Sequence, residues 1–171
     1  NDKLIFYFSG HGFEDAFAPI DFDGTSNKLY HQEVINIING SLAKEKLCIV
    51  DACFTSEIQA EDVLKTSNSV KVSSAYYQKF LDEQKKTTCI FSTQANEASI
   101  EQRGLRQGVF SHFLLKGLKG DADVNNNNEV TINEISSYVQ EQVTPYTNNY
   151  QRPIVLNSED NESVISEIKD D

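Results

Sequence analysis

Two residues suited to nucleophile and base chemistry stand at corresponding places in this chain. Cys53 ends the stretch IVDAC, in which a strand over 46–50 runs out into Asp51-Ala52-Cys53; His11 ends LIFYFSGH, in which a strand over 4–8 runs into a Ser9-Gly10-His11-Gly12 turn. A thiol attacks as the thiolate, and histidine is the commonest base that generates it. The separation, 53 − 11 = 42 residues, is long enough for one crossover between neighbouring parallel strands. Reactive groups of an open parallel sheet gather beyond the carboxyl ends of its strands. Taken singly, each residue has a plainer reading: a buried thiol for Cys53, a turn residue for His11.

The elements that must position this pair follow from hydrophobic period. Residues 4–8 and 46–50 are continuous apolar runs of strand length, as expected for strands covered on both faces. Between them, residues 29–42 carry Val34, Ile35, Ile37, Ile38 and Leu42 at helical spacing, which predicts an amphipathic crossover helix stopped at Asn39-Gly40. His31 opens that helix and is read as a surface residue. A short extended piece is expected over 17–22, with Asp21 and Asp23 in a solvated turn. Residues 88–93 read as a further strand, and Phe110, Phe113, Leu114 and Leu118 predict a helix. Residues 132–143 predict the last helix, and the acidic residues from 157 a solvated tail.

Length and composition bound the function. A chain of 171 residues makes about one domain with a real core. No apolar run approaches the roughly 20 residues of a membrane span, so no membrane contact is expected. A net charge of −11 argues against a nucleic-acid partner and modestly favours basic peptides, its plainer reading being solubility. Cys48, Cys53 and Cys89 form no C-x-x-C pattern; Cys48 and Cys89 lie in strand-like runs as small hydrophobes. That usage suits a reducing, cytoplasmic setting rather than a disulfide scaffold.

The pairing of strand-SGHG with strand-DAC, in that order, resembles the caspase-like cysteine peptidases, the clan of caspases, metacaspases, paracaspases and clostripain-like enzymes. Other segments agree: APIDFDG resembles a short strand with Pro and Asp, Gly108-Val109-Phe110-Ser111 resembles the family's GxFT helix, and Gln151-Arg152-Pro153 resembles a QxP turn into the last strand. The resemblance implies an α/β fold, the caspase-like (caspase-hemoglobinase) three-layer sandwich with a mostly parallel central sheet flanked by helices. It places a peptidase domain over 1–156 and an inter-subunit-type linker, with processing sites, over 57–88. It also implies that one or two earlier strands lie outside the sequence given, so that the chain's partner is that portion of the fold or a larger polypeptide.

By the same resemblance His11 and Cys53 are the catalytic dyad, the backbone N–H groups of Gly12 and Cys53 hold the oxyanion, and the substrate is a protein or peptide. Asp51 and Ser9 line the pocket for the residue before the scissile bond (P1), where Asp, in place of the Gln of caspases, selects Arg or Lys. Asp51 also has a structural reading, as a cap on a neighbouring turn. Phe54-Thr55-Ser56 departs from the family's small-residue turn after the cysteine. Two alternatives stand beside the endopeptidase: a non-catalytic caspase-like interaction module, and a protease arm gated by a sensor region elsewhere.

Residues 121–134 carry a separate pattern. With Asp123 as first position, Asn125, Asn127, Glu129, Thr131 and Glu134 fall at the third, fifth, seventh, ninth and twelfth, the ligand spacing of an EF-hand calcium loop. Asn128 replaces the sixth-position Gly, and only Asp123 and Glu134 supply side-chain carboxylates at ligand positions. The competing reading is an Asn-rich turn that caps the next helix. No cofactor is required by the chemistry; calcium is the one metal the spacing suggests.

Overall fold

The structure, a computed structural model, describes residues 2–13, 15–55, 87–93, 99–100, 105, 107–156 and 162–169. Its elements are β1 (Lys3–Phe13), β2 (Ala16–Ala18), β3 (Leu29–Tyr30), α1 (His31–Gly40), β4 (Glu45–Thr55), β5 (Thr88–Phe91), α2 (Val109–Lys116), a π turn (Gly117–Asp121), β6 (Glu129–Thr131), α3 (Ile132–Tyr146), β7 (Ile154–Leu156) and β8 (Val164–Glu167). Six strands form one sheet in the order β3-β2-β1-β4-β5-β7. Its centre, β1, β4 and β5, is parallel, and β2 and β7 pair antiparallel to their neighbours.

Alternation along β4 divides the core. Cys48, Val50 and Ala52 pack with Phe17 and with Val34, Ile35 and Ile38 of α1, whereas Leu47 and Ile49 join Val109, Phe110 and Leu114 of α2 and Ile135, Val139 and Val143 of α3. The result is a helix, sheet, helices sandwich, the layering in which parallel strands are apolar on both faces. The α/β class and the mixed sheet between helical layers agree with the sequence reading.

Several local expectations are corrected. The SGHG segment is not a turn: β1 continues through it to Phe13, in unbroken register with β4 as far as Phe13↔Thr55. Likewise β4 runs through Asp51 and Cys53 to Thr55 instead of ending at Val50. The ladder with a long parallel neighbour overrides the local turn preference of two glycines. The extended piece expected over 17–22 is confined to Ala16–Ala18. The tail is not wholly solvated, because Val164–Glu167 pairs antiparallel with β6. The 57–88 linker lies outside the described residues apart from its end, where Thr88 begins β5.

His31 is not a surface residue. It is 4% exposed, seated at the first turn of α1 with its ring edge-on to Phe17 at 4.5 Å. Burial holds its pKa down to about 3 from an ordinary 6.5. The unfolded chain binds a proton at 6.5 while the folded chain refuses it until about 3, so this contribution is full above pH 6.5 and is lost as pH falls toward 3. We expect about 1.4 kcal/mol of stability lost per pH unit across that window. Urea midpoints of wild type and His31→Leu at pH 7, 5 and 4 check it: the wild type should fall more steeply, and parallel curves would refute it.

Candidate functional site

The parallel pairing of β1 and β4 sets the site. Register brings Ser9 opposite Asp51 and His11 opposite Cys53, on strands that neighbour each other at about 4.8 Å. The two chemistry-bearing positions, 42 residues apart by number, are thus cross-strand neighbours. Beyond them β2 returns antiparallel, pairing His11↔Ala18 and Gly12↔Phe17. Ser9 and His11 are exposed and Gly12 is buried. Phe13 packs edge-on to Phe22 at 5.0 Å, with Lys28 Nζ 4.6 Å above the Phe13 ring.

Asp51 is 3% exposed. Its Oδ1 accepts from the Ser99 hydroxyl at 2.5 Å, and its Oδ2 accepts from Ser111 N–H at 3.2 Å and the Ser111 hydroxyl at 2.5 Å. Ser111 is the third residue of α2, whose cap position, Gly108, carries no side chain. The carboxylate therefore serves that helix as an N-cap reached from another strand, satisfying one of its orphan amides and facing its positive end. Val109 N–H, another orphan, donates to Ile100 O at 3.0 Å. The glycine is required: a Cβ on Gly108 would lie 2.5 Å from Asp51 Oδ2.

The network reaches further than sequence reasoning anticipated. Tyr7 Oη lies 2.7 Å from Ser111 Oγ. Gln151, fully buried, donates from Nε2 to Ser92 O at 3.0 Å and to Ser99 Oγ at 3.4 Å, and accepts from Ile100 N–H at 3.0 Å. Tyr7, Ser99, Ser111 and Gln151 were not singled out as site residues. Gly108 to Ser111 and Gln151 carried a signal as family-like motifs, but nothing local marks their convergence on Asp51.

Cys48 and Cys89 sit side by side in β4 and β5, both free and buried. The hydrogen bond with Cys48, together with burial, pushes the Cys89 thiol well above its usual range. Such a thiol is inert, in keeping with the reading of both as core residues. His112, read as structural, lies with Nδ1 3.3 Å from Gln107 Nε2.

The 123–134 loop is built as a helix cap. Asp123 accepts from the N–H groups of Asn127 and Asn128 at 3.2 and 3.0 Å, and Asn128 takes φ 64° where an EF-hand has Gly. Glu129 and Thr131 lie in β6. Thr131 Oγ1 accepts from Glu134 N–H, while Glu134 Oε2 accepts from Thr131 N–H and Oγ1, a capping box for α3. Asn125 Nδ2 donates to Glu134 Oε1 at 3.0 Å. Both carboxylates are engaged with their own loop, and no group of three or more His, Cys, Asp or Glu that could hold a metal gathers among the described residues. The cap of α3 is thus made by Thr131 and Glu134 rather than by the asparagines of the turn. Asp23 likewise accepts from Thr25 and Ser26 N–H, bonds that lower its pKa.

Comparison with known proteins agrees with this fold. The crystal structure of caspase-1 from Spodoptera frugiperda is similar in fold, with TM-score 0.59 at 15% sequence identity. The match covers 99% of this chain and 65% of that one, so the chain spans about two thirds of its structural neighbour. In all, 67 chains of solved structure match. No curated protein sequence matches significantly. The family model of the caspase domain, peptidase C14, matches residues 1–163, and the chain belongs to the caspase-domain family.

Proposed function

We propose that this chain is the catalytic domain of a cysteine endopeptidase that cuts polypeptides after Lys or Arg. The observation that carries the reading is the cross-strand pairing of His11 with Cys53. In the proposed reaction His11 takes the Cys53 thiol proton and the thiolate attacks the scissile carbonyl. The tetrahedral oxyanion is held by the N–H groups of Gly12 and Cys53, donors worth about 2.7 to 4 kcal/mol each. His11 then protonates the leaving amine, and water attacks the thioester to release the acid and restore the thiol. Asp51, with Ser9 opposite, supplies the negative charge that receives the basic P1 side chain.

No cofactor enters this scheme. Calcium, if the 123–134 loop takes it, stabilises the loop rather than the chemistry. The outer edge of β1 from Lys3 to Gly10 pairs with no strand among the described residues, and Ile5 beside it is 53% exposed. Both features suit a further strand of the same fold or of a larger polypeptide. The free thiols of Cys48 and Cys89 suit a reducing compartment such as the cytoplasm, and no helix among the described residues is long and apolar enough to cross a membrane.

The test is hydrolysis of fluorogenic peptides that differ only at P1, Lys or Arg against Asp, with and without calcium. Cleavage after the basic residues alone, unchanged by calcium, is the expected result. Cleavage after Asp in preference would reject the assignment of Asp51, and a calcium requirement would reject the cofactor-free scheme.

A further inference from the structure

Among the described residues three donor bonds reach Asp51, from the Ser99 hydroxyl and from the Ser111 N–H and hydroxyl, and their order of donation is fixed. An ionised carboxylate only accepts, so the Ser99 and Ser111 hydroxyls both spend their protons on it, at 2.5 Å each. Tyr7 Oη, 2.7 Å from Ser111 Oγ, must then donate to that oxygen. On the other side Gln151 donates to Ser99 Oγ. The orientation of its amide is set by its other partners, since Ile100 N–H needs an oxygen and Ser92 O needs a donor. Each oxygen of Asp51 thus receives a serine hydroxyl that is itself aimed by a second donor.

This arrangement limits what the carboxylate can still accept. A carboxylate offers about four lone-pair positions. Among the described residues three are filled, two on Oδ2 and one on Oδ1, which leaves a single position on Oδ1. A guanidinium binds a carboxylate best as a fork across both oxygens, whereas an ammonium is a point charge that needs one acceptor. We propose that the P1 subsite reads lysine in preference to arginine, with Tyr7 and Gln151 as positioning residues that hold Ser111 and Ser99 on the Asp51 carboxylate. The proposal rests on the basic-P1 reading given above and narrows it.

The experiment compares kcat and KM for two peptides identical except for Lys or Arg at P1, using the full chain as wild type, Ser99→Ala, Ser99→Thr and Tyr7→Phe. Wild type is expected to favour Lys by about tenfold in kcat/KM, the worth of roughly one hydrogen bond. Ser99→Ala opens a second position on Oδ1 and should move the Arg-to-Lys ratio toward parity through KM, while Ser99→Thr keeps the hydroxyl and the wild-type ratio. Tyr7→Phe should shift the ratio in the same direction by a smaller factor. A variant that only folds less well loses both substrates equally, so the ratio separates selectivity from stability. Equal cleavage of Lys and Arg by wild type, or a ratio unmoved in Ser99→Ala, overturns this inference and leaves basic-P1 cleavage standing. Cleavage of neither basic peptide removes the basic-P1 reading and the inference with it.

Discussion

Cys53→Ala is expected to abolish cleavage after Lys and Arg, with kcat falling by a factor on the order of 10⁶, and His11→Ala should cost nearly as much. A nucleophile and its base act as one unit, so the double substitution should be scarcely worse than either single one. The expectation follows from the parallel ladder: eleven register pairs from Lys3↔Glu45 to Phe13↔Thr55 lock β1 against β4 and keep the two residues opposite each other. Cys48 and Cys89 offer no substitute, being buried in the sheet. Progress curves of both single variants and the double variant, with thermal melting to verify folding, decide the matter. Retention of a tenth or more of wild-type activity by a folded Cys53→Ala protein would remove the dyad.

Asp51→Asn should cost both stability and activity. The amide can still accept from Ser99, but its NH₂ group faces the Ser111 N–H and hydroxyl, so two donors oppose one another and the negative charge at the α2 N-terminus is lost. Charge-assisted hydrogen bonds are worth about 1.5 to 3 kcal/mol each, and the charge at a helix end about 0.3 to 1 kcal/mol or more. A destabilisation of about 3 kcal/mol is expected, which lowers Tm by roughly 6 to 12 °C in a chain of this size. Gly108→Ala should act at the same place from the other side. Its Cβ would meet Oδ2 at 2.5 Å and Cγ at 3.3 Å, against a carboxylate that cannot swing away without giving up its three donors. A Tm within about 2 °C of wild type for Asp51→Asn would deny the cap; a stable variant that loses only basic-P1 cleavage would assign Asp51 wholly to the substrate.

Much of the site was readable because its signals are local. The apolar runs before SGHG and DAC, the order histidine then cysteine, and the helical spacing of Val34, Ile35 and Ile38 each lie within a few residues. They sufficed for the sandwich of helices about a mostly parallel sheet. His31 was legible too and was misread: it is in phase with Val34, Ile35 and Ile38, and that shared face is the one α1 buries.

Tertiary structure alone decided how the site is held. Asp51 meets Ser99 and Ser111, 48 and 60 residues along the chain, and Tyr7 meets Ser111 across 104; no periodicity carries information over such distances. The SGHG segment stays in the strand because β4 supplies its hydrogen bonds, a contribution its own glycines oppose. The acidic end likewise contributes a strand because Glu129 to Thr131 offers a ladder to Val164 to Glu167. Sequence by itself determined which groups are proposed for the chemistry, through local pattern and order. The fold determined their partners, because a buried carboxylate takes whichever donors packing brings within reach.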